Sequence, residues 1–299
     1  MPSAQYTFEA IGTVWNIDIL DDLSTEQSAQ TKANILARIE VFDKNYSRFR
    51  ADSLVTKMAA RAGTYALPGD AQPLLDLYAN LYKITNGAVT PLIGQTLAQA
   101  GYDAAYSLKE GTPTPPPAWE EALEYDFPRL TIKQMALLDF GAAGKGYLVD
   151  IIGNLLAEQG VQNYYIDGGG DILYRSVSDA RIEVALEHPA DPTQAIGIAS
   201  ILNQSLCGSA GNRRAWGKYH HILNPHSLAS PKHIQALWVT ADNGLLADGL
   251  TTALFFTDAD ELAKHFDFEY AIVHADNSLE HSANFPADFF TKSNSSTVL

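Results

Sequence analysis

"LLDFGAAGKGYLVDIIGNLL", residues 137–156, sets a run of small residues with one lysine between an apolar entry and an evenly spaced apolar exit. Tyr147, Leu148, Ile151, Ile152, Leu155 and Leu156 recur at helical spacing, which predicts a helix beginning near Lys145, with Gly160 placed to end it. Small residues ahead of a helix leave backbone N–H groups exposed at the positive end of its dipole, where an anion is favoured. The nucleotide P-loop does not fit: Gly144-Lys145 is followed by Gly146 rather than a hydroxyl residue, and Asp139 stands where the first glycine belongs. The dinucleotide fingerprint fails too, because Gly141, Gly144 and Gly146 have the wrong spacing. A tight strand-to-helix turn with a surface lysine accounts for the run about equally well. From these residues alone both readings stand.

The chain around this stretch has 299 residues, 46% hydrophobic and 18% charged, the composition of a soluble protein with ample core. A formal net charge of −15 argues against nucleic acid or an anionic membrane as partner. It also requires that any anionic ligand find a locally positive site or a metal. Cys207 is the one cysteine, so no intramolecular disulfide forms. The opening "MPSAQYTFEAIGTVW" lacks the basic start and apolar core of a signal peptide, and no window is apolar enough to cross a bilayer. The expectation is a cytoplasmic protein without membrane insertion.

Residues 6–20 read as strand broken at Gly12, followed by a helix from about Ser24 to Phe42 with Ile35, Leu36, Ile39 and Phe42 on one face. A second helix is expected around Gln72 to Thr85. Pro113, Pro115, Pro116 and Pro117 make residues 111–117 an extended surface connection. Residues 161–176 read as strand, glycine turn and strand, with further strands over 180–188, 196–202 and 233–241. A helix over Asn243–Thr257 and a hairpin over 270–282 follow, and residues 291–299 read as a frayed tail. Strands and helices mix without regular alternation, so an α+β fold is expected, as a single domain over residues 1–299.

Three clusters could carry chemistry. In "YIDGGGDI", residues 165–172, the glycines allow close approach of a ligand or simply a tight turn. "GSAGNRRAWGKYHHILNPHS", residues 208–227, gathers Arg213, Arg214, Lys218, His220, His221 and His226 in an otherwise acidic chain. Neighbouring histidines on a strand face opposite sides, so at most one of His220 and His221 enters a given site, and their spacing is not that of a zinc site or metalloprotease. In "LLADGLTTALFF", residues 245–256, Asp248 and Thr252 share a helix face that could offer a carboxylate and a hydroxyl to a hard cation such as magnesium. A buried threonine bonded to its own helix turn is the alternative.

Taken in order, these segments resemble the ApbE-type FAD:protein FMN transferases. The family's early M-G-T appears as Ile11-Gly12-Thr13 and its S-R-F as Ser47-Arg48-Phe49; "DFGAAGKGY" starts at Asp139 and "DGGGD" at Asp167. Its T-S-G, H-I-x-[DN]-P and D-x-x-[ST]-T-A segments appear as Ser209-Ala210-Gly211, "HILNPHSL" from His221 and "DGLTTA" from Asp248. The match covers nearly the whole chain, and it is the order of the seven segments that makes it specific.

The resemblance implies an α+β fold with mixed or antiparallel sheets, two lobes enclosing an FAD cleft, and magnesium-dependent transfer of FMN. FMN would pass to a Thr or Ser hydroxyl of a partner flavoprotein bearing a D-x-x-[ST]-G-A-[ST]-like motif, with release of AMP. It assigns the magnesium to Asp248, Thr252 and a backbone carbonyl near Gly144, and the general base to His221, ahead of His220. The Gly144–Gly146 backbone and Lys145 would reach the pyrophosphate; Thr13, Arg48, Asp167, Gly169, Gly170 and Ser209 would line the flavin or adenine pockets. Departures fall on ligand-shaping residues: Ile11 for methionine, Gly144 within a changed turn, "AGYD" at residues 100–103 for W-G-F-G, and Leu228 where a glycine is usual, a position at which a required positive φ would be costly for leucine. Two other outcomes use the same residues: an FAD pyrophosphatase yielding FMN and AMP, and a non-catalytic FAD-binding protein. The acceptor motif does not occur in this chain, so self-flavinylation is not expected.

Overall fold

The computed structural model describes residues 2–290; the expected tail at 291–299 lies outside the described residues. Strands β1 (Ala4–Ala10) and β2 (Thr13–Ile19) form a hairpin whose turn residues Ile11 and Gly12 take φ of 49° and 70°. Trp15, Ile17 and Ile19 alternate inward and are fully buried, which is the period-two pattern of a half-buried strand. Six more strands extend this sheet: β3 (Tyr164–Asp167), β4 (Asp171–Arg175), β5 (Gln204–Ala210), β6 (Ile234–Ala241), β7 (Glu269–His274) and β8 (Leu279–His281). Their order across the sheet is their order in the chain, and every neighbouring pair is antiparallel.

Four helices build the layer beside it: α1 (Thr25–Tyr46), α2 (Ala71–Ile84), α3 (Gly144–Glu158) and α4 (Gly244–Ala253). Ser24 and Gln27 close a capping box at the start of α1, each side chain accepting the other's backbone N–H. The buried stripe of α1 is Thr31, Ile35, Ile39, Phe42 and Tyr46. Leu36, expected on that face, is 40% exposed, because one residue turns the helix about 100° away from Ile35. Helix α3 begins at Gly144 as its spacing predicts, and Gly160, at φ 84°, follows its end.

Helices α3 and α4 lie on one face of the sheet, with α1 and α2 packed outside them. A second antiparallel sheet of Ile182–His188, Asp191–Ile201 and Ala287–Phe289 covers part of the other face. In β4, Leu173 therefore points to the helices while Ile172 and Tyr174 point to the small sheet. Burial on both faces explains why Ile172, Leu173 and Tyr174 are apolar in succession rather than alternating with polar residues. A further cluster, Leu97, Ala100, Tyr102, Trp216, Tyr219 and Leu223, joins the short helix Gly94–Ala100 to the chain around 216–223. Residues 111–117 carry no regular structure, as expected, although Pro113 is buried. Among the described residues no helix is long and apolar enough to cross a membrane.

Candidate active site

A cavity of about 450 Å³ opens where the C-terminal end of α1, the Ile11–Gly12 turn, the entry to α3 and the end of α4 meet the Leu97–Trp216 cluster. Its walls include Arg48, Gly144, Lys145, His221 and Thr252, so five of the residues singled out in the sequence are brought together. Thr13, Gly146, Asp167, Gly169, Gly170, Ser209 and Asp248 are not on that surface: Gly146 and Asp248 are buried, while Gly169 and Gly170 are exposed.

Arg48 follows α1 directly and is almost completely buried. Its guanidinium pairs with Asp139 through Nε and lies 4.2 Å from the Phe49 ring centroid and 4.8 Å from that of Tyr102. Its buried Nη2 has no hydrogen-bond partner among the described residues, and the cavity lining also carries Arg214, itself bonded to the Tyr102 hydroxyl at 3.0 Å. A buried donor left open costs about 1–3 kcal/mol unless a ligand uses it. The aromatic surface continues from Arg48: Phe49 and Tyr106 stack with centroids 4.7 Å apart. Planar apolar surface beside fixed guanidinium groups suits a ligand that combines flat rings with phosphate.

At the other end, Lys145 pairs with the buried carboxylate of Asp171. Burial pulls the Lys145 ammonium down, but Asp171 and Asp248 outweigh it and hold it at about 12. Asp248, one turn before Thr252, accepts the Gly146 N–H at 2.9 Å and is held up in pKa by burial and by Asp171. The N–H groups expected to cradle an external anion thus face a carboxylate of the chain itself. Gly146 is buried at the crossing of α3 with α4, where a Cβ would overlap the Gly244 carbonyl. Ser209 bonds Thr251 at 2.8 Å, and Thr251 in turn bonds the Asp248 carbonyl at 2.7 Å, so Ser209 braces α4.

Thr13, Asp167, Gly169 and Gly170 form a separate knot. The Thr13 side chain fills the space a Cβ on Gly169 would need, and Asp167 closes the glycine turn by accepting the Gly170 N–H at 2.8 Å. Burial raises the Asp167 carboxyl.

His220 ends the short strand Tyr219–His220 and His221 lies just past it, and the two rings turn to different surroundings. His220 turns away, with Nε2 against the Pro231 carbonyl at 2.9 Å, while His221 lines the cavity. Burial, followed by the charge of Arg214, pushes His221 down to about 3, so its ring is neutral over the physiological range. Its Nδ1 has no partner among the described residues.

The Asp248 carboxylate, the Thr252 hydroxyl and the Gly144 carbonyl, the donors that the resemblance assigns to a cation, make an all-oxygen set of the kind a hard divalent ion takes. The Gly146 N–H does not exhaust a carboxylate with about four lone-pair positions, so Asp248 keeps capacity for a cation. Among the described residues no three His, Cys, Asp or Glu side chains cluster to chelate a metal, so such an ion would depend on this mixed set.

The sequence profile of the ApbE family matches residues 11–272. The chain belongs to the ApbE family. Its relatives include an FAD:protein FMN transferase of Haemophilus influenzae, 25% identical over 90% of this chain and 86% of that protein. The FAD:protein FMN transferase of Escherichia coli K12 is 21% identical over 82% of this chain and 76% of its own length. Among solved structures, the ApbE protein of Thermotoga maritima superposes with a TM-score of 0.80 at 18% identity, covering 95% of this chain and 99% of that one. The flavin transferase ApbE of Vibrio cholerae gives 0.77 at 19% identity, over 94% and 97%. The α+β fold is that of the ApbE structures.

In this ApbE-family chain the sequence reading missed Asp139, Asp150 and Asp171 as partners and left Arg214 as one cation in a basic cluster. Asp139 could have been suspected as the first residue of the motif that carries Lys145. Asp171 closes the "DGGGD" segment. Neither has a local pattern that names its partner, because Arg48 lies 91 positions from Asp139 and Lys145 lies 26 from Asp171.

Proposed function

We propose that this chain transfers FMN from FAD to a Thr or Ser hydroxyl of an acceptor flavoprotein and releases AMP. What carries the reading is the meeting, on one cavity wall, of a neutral histidine, a lysine and two of the oxygen donors of a cation site, in a chain of the ApbE family. FAD would lie along the cavity with its rings against Phe49, Tyr102 and Tyr106, and its pyrophosphate toward Arg48, Lys145 and Arg214. Magnesium would be held by Asp248, Thr252 and the Gly144 carbonyl, where it would supply Lewis-acid neutralisation of phosphate charge. The acceptor segment would carry a D-x-x-[ST]-G-A-[ST]-like motif. We treat residues 1–299 as one working unit, since Ile11 near one end and Phe256 near the other line the same cavity.

In the reaction the acceptor oxygen bonds to the phosphorus of the FMN half. The bond from that phosphorus to the bridging oxygen breaks, and AMP leaves with that oxygen. His221 takes the hydroxyl proton as the new bond forms. A free-state pKa of about 3 is low for a base, and part of its cause is the positive charge of Arg214 and Lys145. A bound pyrophosphate neutralises those charges and raises the basicity of His221 when it is needed.

The test is incubation with FAD and Mg²⁺, with and without a peptide bearing the acceptor motif, followed by mass spectrometry and AMP assay. The expected result is a peptide heavier by one FMN, with AMP in equal amount. AMP without modified peptide would replace transfer by hydrolysis, and intact FAD would leave binding alone. For His221→Ala the expectation is a transfer rate lower by about 10²–10⁴-fold with FAD affinity retained; a parallel loss of affinity would make His221 a binding contact only.

A further inference from the structure

The two helices that carry the candidate cation donors begin against one another in the same way. Gly146 and Asp150 stand one turn apart in α3, as Gly244 and Asp248 do in α4. Asp248 accepts the N–H of Gly146 at 2.9 Å. Asp150 accepts the N–H of Gly244 through Oδ1 and that of Leu245 through Oδ2, both at 2.7 Å. Each glycine sits at the crossing, where a Cβ would press on the other helix's glycine carbonyl. Each helix therefore lends a carboxylate to the other's free N-terminal N–H groups, which is also where the dipole favours negative charge.

The two carboxylates differ in what surrounds them. Neither lines the cavity, but Asp248 stands one turn before Thr252 of its wall, whereas the Asp150 carboxylate is taken up by the N–H groups of Gly244 and Leu245. We infer that Asp150 is a positioning residue for the cation site. By holding the first turn of α4 against the start of α3, it sets where Asp248 and Thr252 stand relative to Gly144. This rests on the reading of those three residues as cation donors. The donors come from two helices, and the reciprocal carboxylate bonds tie the two helix starts together. Magnesium tolerates little error, since it takes near-octahedral oxygen at about 2.0–2.1 Å. Loss of groups that orient metal ligands typically costs about 10–100-fold in metal affinity.

The test uses the full chain and the variants Asp150→Ala, Asp150→Asn and Asp248→Asn. Mn²⁺ is titrated in the presence of FAD and followed by the EPR signal of the free ion, and FAD affinity is measured separately by flavin fluorescence in EDTA. In Asp150→Ala the Mn²⁺ midpoint should rise about tenfold or more, while metal-free FAD affinity stays within about twofold and turnover recovers at saturating Mg²⁺. Asp150→Asn keeps one acceptor oxygen and should fall between. An unchanged midpoint in Asp150→Ala, or FAD affinity in EDTA falling in parallel, would overturn the proposal. If Asp150→Ala does not fold, Asp150→Asn decides in the same way. Should Asp248→Asn leave the midpoint unchanged, the cation assignment itself fails; a shift there with none at Asp150 would remove only the coupling.

Discussion

Ile11 and Leu228 both hold φ values that L-residues avoid, 49° and 55°. At Leu228 the conformation is the left-handed one that a glycine adopts without cost. At Ile11 the strained residue is β-branched and opens a two-residue hairpin turn, a position suited to Asn before Gly12. Ile11→Asn should therefore stabilise the fold by about 1 kcal/mol in urea denaturation. It should also weaken FAD binding, because Ile11 lines the cavity; a variant with unchanged stability would remove the strain argument. His221 makes a second prediction at this scale. Its pKa is about 3 when folded and 6.5 ordinarily, so the unfolded chain takes up the proton first. The stability this contributes is whole above pH 6.5 and is lost as pH falls toward 3. Relative to His221→Gln, the native chain should lose about 2 kcal/mol between pH 6.5 and 5, read from denaturation curves at each pH. An equal pH dependence in both proteins would contradict the buried neutral ring. That His221 rather than His220 enters the cavity was legible from motif position, since alternation alone does not choose between them. The pairing of Arg48 with Asp139 was not, since no sequence period links residues so far apart.

The helices show where local pattern suffices and where it stops. The capping box of α1, its apolar period and the glycine after α3 all act within a few residues, and those boundaries were readable. Leu36 was misplaced because neighbours in sequence diverge around the helix. Strand β5, "QSLCGSA", went unread because serine, glycine and cysteine give it no β signature; its place between β4 and β6 makes it a strand. Gly146 carries a prediction for the α3–α4 crossing. Gly146→Ala puts a methyl into the Gly244 carbonyl and Asp248, so the helices must separate. The expected loss is about 1–3 kcal/mol or more, by thermal or urea unfolding, although alanine is the better helix former. A neutral or stabilising result would mean the crossing is looser than described.

For the whole molecule, a formal charge of −15 surrounds a cavity that recruits arginine and lysine to its walls. An approaching dianion is repelled at long range and attracted only within the last Debye length, about 10 Å at 0.1 M salt. FAD association should therefore quicken as NaCl rises from 10 to 150 mM in stopped-flow traces; a slowing would mean the local cations govern the approach. The α+β class was legible from the unpatterned mixing of strands and helices, but the sheet order was not, because pairing partners leave no mark in a single sequence. That order has a kinetic meaning. Strands β2 and β3 are neighbours, with Ile19 opposite Tyr164, yet α1, α2 and α3 all lie between them in the chain. Joining them closes a very long loop, and the entropy of that closure is spent before the pairing returns anything. The helical insert thus gains by collapsing first and drawing its own two ends together, so that the β2–β3 seam, where the edge hairpin joins the rest of the sheet, is the last part of this protein to close and the natural place for a slow folding phase.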